Sequence, residues 1–198
     1  MILYTIGYSA YERELFVNVL QEKKIRWVID VRSVPASGYR PEYDKVAIDK
    51  YLAAHGIGYR HMPREFGARQ EKRAYLAPEG YVDFGLFVKS EAFGEGVRSV
   101  EAMAERGELC ALMCAEKDAL TCHRSILISR EFARRGWTVI HLSPDGEESH
   151  KALEGRLLNL FFPNRFQMSL LEAPRDDAEL LDEAYRLQNQ KIGFRKEA

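Results

Sequence analysis

Ile25-Arg-Trp-Val-Ile-Asp-Val31 is apolar at nearly every position. A run of this kind reads as a strand buried on both faces, which belongs in a parallel sheet covered by helices on either side. Before it, residues 2–7 read as a first strand that ends in Gly7-Tyr8-Ser9. Leu15, Phe16, Val19 and Leu20 then fall on one face of a helix. After it come an irregular stretch over 32–43, a helix built on Ile48, Tyr51 and Leu52 that stops at Gly56, and a short third strand over 57–61. A long basic loop covers 62–78, and helical patterns follow over 81–90 and 97–106. Residues 109–114 are a fourth strand, 121–135 a helix ended by Gly136, and 137–142 a fifth strand. Ser143-Pro-Asp-Gly146 reads as a turn. Helices over 152–160 and 178–190, separated by Pro163 and Pro174, complete the chain.

Alternating strands and crossover helices predict an α/β, Rossmann-like domain over 1–162, with a mostly parallel five-stranded sheet and helices on both faces. Residues 163–198 form a helical extension, packed on the domain or on a partner. The commonest strand order is 3-2-1-4-5, and ligands bind outside the strand carboxyl ends where that order reverses. Topology alone therefore selects Tyr8-Ser9 and Cys114-Ala-Glu116 as the flanks of a crevice, with Asp30-Val-Arg32 beside them.

Composition narrows the class. With 46% hydrophobic and 30% charged residues among 198, the chain is neither disordered nor fibrous. The apolar start lacks a basic lead-in and soon meets Glu12, Arg13 and Glu14, so it does not read as a signal peptide. No apolar run approaches the roughly 18 residues of a membrane span. Three cysteines with no export signal point to reduced thiols and a cytoplasmic location. The 29 basic and 30 acidic residues balance overall, yet residues 24–73 hold eleven basic against six acidic, a local excess of five. Arg40, Arg60, Arg64, Arg69, Lys72 and Arg73 are interleaved there with Tyr39, Tyr43, Tyr59, Phe66 and Tyr75. Such mixing suits a phosphate backbone with stackable bases, and a solvated loop over buried aromatics accounts for it nearly as well.

The chemistry concentrates in Cys114-Ala-Glu-Lys-Asp-Ala-Leu-Thr-Cys122-His-Arg124. Cys122, His123 and Arg124 are expected in the first helical turn, where two cations oppose the macrodipole unless an anion is bound. The same field would activate Cys122 as a thiolate, with His123 as general acid or base and Glu116 as its partner. The bland alternative is a small buried cysteine with His123 and Arg124 solvated or paired with Glu116 or Asp118. Cys114, Cys122 and His123 could ligate a metal, but the spacing is not a paired CxxC pattern, and no metal is assigned. Cys110, four strand positions from Cys114, reads as core. Ser9-Ala-Tyr-Glu12 reads as a capping box. Asp30 and Arg32 suit a mutual ion pair as well as a ligand contact.

Thr5-Ile-Gly-Tyr-Ser9, Val28-Ile-Asp-Val-Arg-Ser33 with Pro35, and Met113-Cys-Ala-Glu-Lys-Asp118 with Cys122-His-Arg124 resemble the signature blocks of the domain-of-unknown-function 488 family. Pro41-Glu-Tyr43, Gly67-Ala-Arg69 and His150-Lys-Ala-Leu-Glu154 extend the resemblance over roughly residues 1–160. Ala68 stands where a second glycine is expected, and Ala119 where proline is usual. The resemblance implies the α/β fold and a pocket formed by Gly7, Tyr8, Ser9, Asp30, Arg32, Ser33, Arg69, Cys114, Glu116, Cys122, His123 and Arg124. It implies no reaction.

The expected function is binding of a phosphate-bearing ligand, a nucleotide or nucleic acid, with hydrolysis or transfer as the reaction class. Arg32 and Arg124 would hold the phosphate, while Glu116, Cys122 and His123 would carry the chemistry. The sequence specifies no cofactor and no membrane contact, and the C-terminal helices could pair two copies of the chain. A non-catalytic nucleic-acid-binding module using residues 24–73 is the alternative. A thiol, sulfur-transfer or metal protein ranks third. Asp30-Val-Arg32 ends a strand somewhat as in rhodaneses, but the compact glycine-containing cysteine loop of those proteins is absent.

Overall fold

The computed structural model describes residues 1–165 and 176–195; Pro174 lies outside the described residues. The sheet consists of β1 (Ile2–Gly7), β2 (Trp27–Asp30), β3 (Gly58–His61), β4 (Cys110–Cys114), β5 (Thr138–Ser143) and β6 (Gly146–Ser149). Its order is β3-β2-β4-β1-β5-β6. The first five strands pair in parallel, and β6 returns antiparallel to β5.

Two expectations are corrected here. The fourth strand lies between the second and the first, so the order 3-2-1-4-5 is wrong at the centre. Apolar periodicity cannot rank two buried strands, but burial can. All five residues of β4 are buried, whereas β1 begins exposed at Ile2. The turn at Ser143–Gly146 also continues into a sixth strand. Gly146-Glu-Glu-Ser149 has no apolar side chain, and its strand character comes from backbone pairing with β5 alone. Charged residues suit that edge position.

Helices cover both faces. On one, α1 (Arg13–Glu22) and α2 (Lys45–Ala54) bring Phe16, Leu20, Ile48 and Leu52 onto Ile6, Val28, Ala111 and Met113. A short α3 (Pro63–Phe66) and α4 (Phe84–Phe87) precede the long α5 (Glu91–Glu105) on the other face. There Phe66, Phe93, Val97 and Val100 join Ile29, Leu112 and Cys114 in the second core. The expected helix over 81–90 shrinks to α4, because Val82 forms a bridge with Leu76 and Tyr81 one with Arg195.

The helix after β4 is irregular. A 3-10 turn (Ala119–Thr121) leads to an extended Cys122, and a π-helical stretch (Arg124–Ser129) runs into α6 (Arg130–Arg134). The Ser129 hydroxyl donates to the Arg124 carbonyl at 2.8 Å, five residues back, which fits the wider winding. Two more helices, α7 (His150–Phe161) and α8 (Asp177–Ile192), complete the described fold. The C-terminal helix docks on the body of its own chain. Asn189 accepts from the Phe84 N–H and donates to the Val82 carbonyl, both at 2.9 Å, and Gln188 donates to the Leu120 carbonyl.

Candidate functional site

The carboxyl ends of β2, β4 and β1 lie side by side, with Gly7 in register with Cys114 and Asp30 with Met113. Gly7 is required by contact. A β-carbon there would stand 1.9 Å from the Glu116 carbonyl oxygen. This close approach lets the loop after β4 fold over the end of β1, where the Ser9 N–H donates to the Ala115 carbonyl at 3.1 Å.

Four groups converge in that loop. The Cys114 and Cys122 thiols lie 3.0 and 2.9 Å from the same Glu116 oxygen, Oε2. His123 Nδ1 lies 3.8 Å from the Cys114 sulfur and 4.0 Å from that of Cys122. Its Nε2 is 2.9 Å from the Val31 carbonyl, which can only accept. That bond fixes the proton on Nε2 and leaves the neutral ring with a bare Nδ1 facing both sulfurs. Cys122 is only 1% exposed, and Cys114 and His123 are buried. Glu116 has an exposed flank but turns its carboxylate inward.

The electrostatics follow from the packing. Burial opposes charge on Cys122, but its hydrogen bond with Cys114 and the nearby Arg124 and His123 outweigh this and hold its thiol well below the usual range. Cys114 goes the other way, pushed up by its hydrogen bond with Cys122 and by burial. His123 is raised, because the Cys122 sulfur overcomes the cost of burial. Glu116 is raised by burial and by Cys122. The shifts favour negative charge on the Cys122 sulfur over that of Cys114.

Two buried arginines flank it. Arg32 forms a two-pronged ion pair with Asp30, Nη2 to Oδ2 at 2.7 Å and Nε to Oδ1 at 2.9 Å. Tyr59 donates a further bond to Asp30 Oδ2 at 2.5 Å, and the guanidinium lies 4.9 Å from the Tyr8 ring centre. The ion-pair reading of Asp30 and Arg32 is therefore what the geometry displays, although Arg32 Nη1 finds no partner among the described residues. Arg124 differs. It is 1% exposed; among the described residues its guanidinium donates only to the carbonyls of Glu116 (2.6 Å) and Lys117 (3.2 Å), and its buried Nε has no partner. It lines a cavity of about 300 Å³ beside the ends of β4 and β5, together with Lys117, Asp118, His141, Asp145, Glu148 and Arg156. Asp118 and Glu148 are both engaged by Arg156. The Tyr11 hydroxyl is also buried without a partner, and is close enough for the Arg124 charge to oppose the rise that burial imposes on it.

A scan of protein-family models matches the domain of unknown function DUF488 over residues 12–130, three fifths of the chain. The chain belongs to the DUF488 family. Nothing among curated proteins or solved structures matches it. The DUF488 match ends six residues beyond Arg124, so it takes in β2, β4 and the whole cysteine loop but not β1 with Gly7 and Tyr8.

Of the residues expected to form the site, Gly7, Tyr8, Asp30, Arg32, Cys114, Glu116, Cys122, His123 and Arg124 are brought together around these strand ends. Ser9 does not form the expected capping box. Residues 8–10 are a 3-10 turn, α1 begins after Glu12, and neither side chain caps it. Burial of Tyr11, together with stacking of Tyr8 on Tyr43 at 4.5 Å, holds the chain in that turn and delays the helix. Cys122 is not in the first helical turn either; it stands in extended conformation before it. Ser33 and Arg69 bond to each other, Arg69 N–H to Ser33 Oγ at 2.8 Å, and the Arg69 guanidinium lies over Phe194. Sequence reasoning missed His141 and Arg156, and took Tyr59 only as an aromatic of the basic segment. Only proximity in the fold marks His141 and Arg156, since neither belongs to a spacing pattern.

Proposed function

We propose that this DUF488 protein binds a phosphate-bearing ligand in the cavity lined by Arg124, with hydrolysis or transfer carried out at the adjoining Cys114–Glu116–Cys122–His123 cluster. One observation carries the reading. A guanidinium buried without a carboxylate partner is costly unless something compensates it, and an anion supplies both charge and an acceptor for Nε. Tyr11 offers a second unsatisfied donor beside it. A cavity of about 300 Å³ is at the small end for a ligand site, suited to a phosphorylated small molecule or one strand end. Glu116 is the exposed member of the cluster and the group a substrate would meet first, with Cys122 and His123 behind it.

The basic segment supports a broad nucleic-acid surface less well. Arg40 is paired with Glu42 and Glu12, Arg64 with Glu65 and Glu95, and Arg60 donates to Ser99. Tyr43 and Phe66 are core residues, although Tyr39 is 97% exposed. Isothermal titration with inorganic phosphate, pyrophosphate and AMP tests the proposal. At least one should bind, and Arg124→Gln should weaken it tenfold or more, since bonds to a charged group are each worth about 1.5–3 kcal/mol. Binding of none of the three, or equal binding by the variant, would overturn it.

A further inference from the structure

The cysteine cluster has a property that the anion site does not need. The two sulfurs and the bare Nδ1 of His123 all lie within 4.8 Å of one another, and all three residues are buried. We propose that Cys114, Cys122 and His123 hold a divalent transition-metal ion, zinc being the best fit, with the fourth position taken by Glu116.

Four features of the chain support this. The first is separation. A sulfur and a nitrogen on one tetrahedral zinc ion stand roughly 3.6 Å apart, given bonds of about 2.3 and 2.05 Å. The observed sulfur–nitrogen separations are 3.8 and 4.0 Å, so each sulfur–nitrogen pair needs to close by only a few tenths of an ångström around the ion. The second is orientation. A ligating imidazole donates its other ring N–H to a fixed acceptor, which locks the tautomer and aims the lone pair. The Val31 carbonyl does this for His123 at 2.9 Å, from the strand next to Cys114.

The third feature is the setting of Cys122. Its sulfur lies 3.5 Å from the Arg124 backbone N–H, at the start of a helix that runs on through Arg134. Both the N–H and the helix terminus stabilise a thiolate ligand. The fourth is the donor set. Two thiolates and one imidazole are too soft for magnesium or calcium and too few in sulfur for an iron–sulfur cluster, which leaves zinc and its neighbours in the first transition row.

Glu116 distinguishes this set from a closed structural site. Its Oε2 now touches both sulfurs at 2.9–3.0 Å, closer than the roughly 3.5 Å expected between oxygen and sulfur on one zinc ion. It must therefore swing outward slightly to ligate. Its exposed flank makes it the member that can give way to water or to a substrate oxygen, as the open position of a catalytic zinc site requires. The sequence names this set but does not select it, because one ligand ends a strand, one stands just before a helix, one begins it, and seven residues separate Cys114 from Cys122.

The full-length chain, stripped with a chelator under reducing conditions, is titrated with Zn²⁺ alone and, separately, with Co²⁺. The proposal expects one ion per chain and sulfur-to-cobalt charge-transfer bands with intense tetrahedral ligand-field absorption. Cys110→Ser should leave both unchanged. Cys114→Ser should weaken binding by more than the roughly 10–100-fold that an outer partner is worth. No stoichiometric Zn²⁺ binding, a cobalt spectrum without thiolate bands, or unaltered affinity in a folded Cys114→Ser variant would each overturn it. Should Cys114→Ser fail to fold by circular dichroism, the spectra of the wild type and Cys110→Ser decide alone. Arg124→Gln separates the two proposals, because it should abolish phosphate binding while the cobalt bands persist.

Discussion

The Gly7 backbone packs directly against the Glu116 carbonyl, leaving no room for a β-carbon: one built on Gly7 would sit 1.9 Å from that oxygen and 3.2 Å from Arg124 Nη2. The same carbonyl accepts the 2.6 Å bond that positions Arg124. Gly7→Ala must therefore displace the loop that carries Glu116 and release the arginine. We expect a loss of about 1–3 kcal/mol in urea unfolding, the usual cost of overpacking, together with weaker phosphate binding. Unchanged stability and unchanged binding in Gly7→Ala would show that the loop yields freely.

Asp30 and Arg32 form the most completely buried ion pair in the described structure, tied at 2.7 Å and joined by Tyr59 and the Tyr43 carbonyl. Burial works against the Arg32 charge, and the Asp30 carboxylate more than offsets it, so the guanidinium is held above its ordinary range. Removing one partner leaves the other charge stranded. Asp30→Asn should cost on the order of 3–5 kcal/mol, whereas Asp30→Asn with Arg32→Met should recover part of that loss. A double-mutant cycle in urea measures the coupling. Single and double variants of equal stability would rule out a stranded charge as the cause.

Much of this arrangement was legible in the sequence. The buried run at 25–31 and the short apolar run at 109–114 marked parallel strands, and the rule for such sheets directed attention to the residues at their carboxyl ends. Asp30, Cys114 and Glu116 lie there. The rest depends on three-dimensional choices that local pattern does not encode. Which of two buried strands is central is decided by total burial, and β6 exists only through its pairing with β5. Ser9-Ala-Tyr-Glu12 matches a capping box letter by letter, yet the burial of Tyr8 and Tyr11 outweighs the roughly 1 kcal/mol that a cap contributes. The one-residue displacement of Cys122 from the helix, which brings both sulfurs to Glu116 Oε2, has no signal in the sequence at all.

Docking of α8 rests on Asn189, whose side-chain amide caps one N–H and one carbonyl of the 82–84 segment at 2.9 Å each. Asn189→Ala would bury both without partners, at about 1–3 kcal/mol apiece. We expect a matching loss of stability and faster hydrogen exchange at the Phe84 amide than at the amides of β4. Equal exchange at Phe84 in wild type and variant would mean that another group takes over the bonds.

A second polar path runs through the same core and predicts how stability changes with pH. Tyr185 donates to Glu154 at 3.0 Å, so it accepts from His150 Nε2–H at 2.9 Å. His150 Nδ1 must then accept from His141 Nε2–H at 3.0 Å, and His141 Nδ1 accepts the Thr5 hydroxyl proton at 2.8 Å. Each bond fixes the direction of the next, and the path has room for no extra proton between the two rings. Burial lowers both histidines, aided by mutual repulsion at His141 and by Arg130 at His150, which falls from 6.5 to about 4. Above pH 6.5 both rings are neutral, folded or unfolded, and pH has no effect through them. Below it the unfolded chain takes up protons that the native chain refuses. Stability should therefore fall as pH drops from 6.5 toward 4, by at most about 1.4 kcal/mol per pH unit for each histidine. His150→Gln removes one titrating ring while keeping a donor and an acceptor. Its urea midpoint should fall less steeply than that of the wild type over this window, and identical slopes would show that the rings protonate freely in the folded protein.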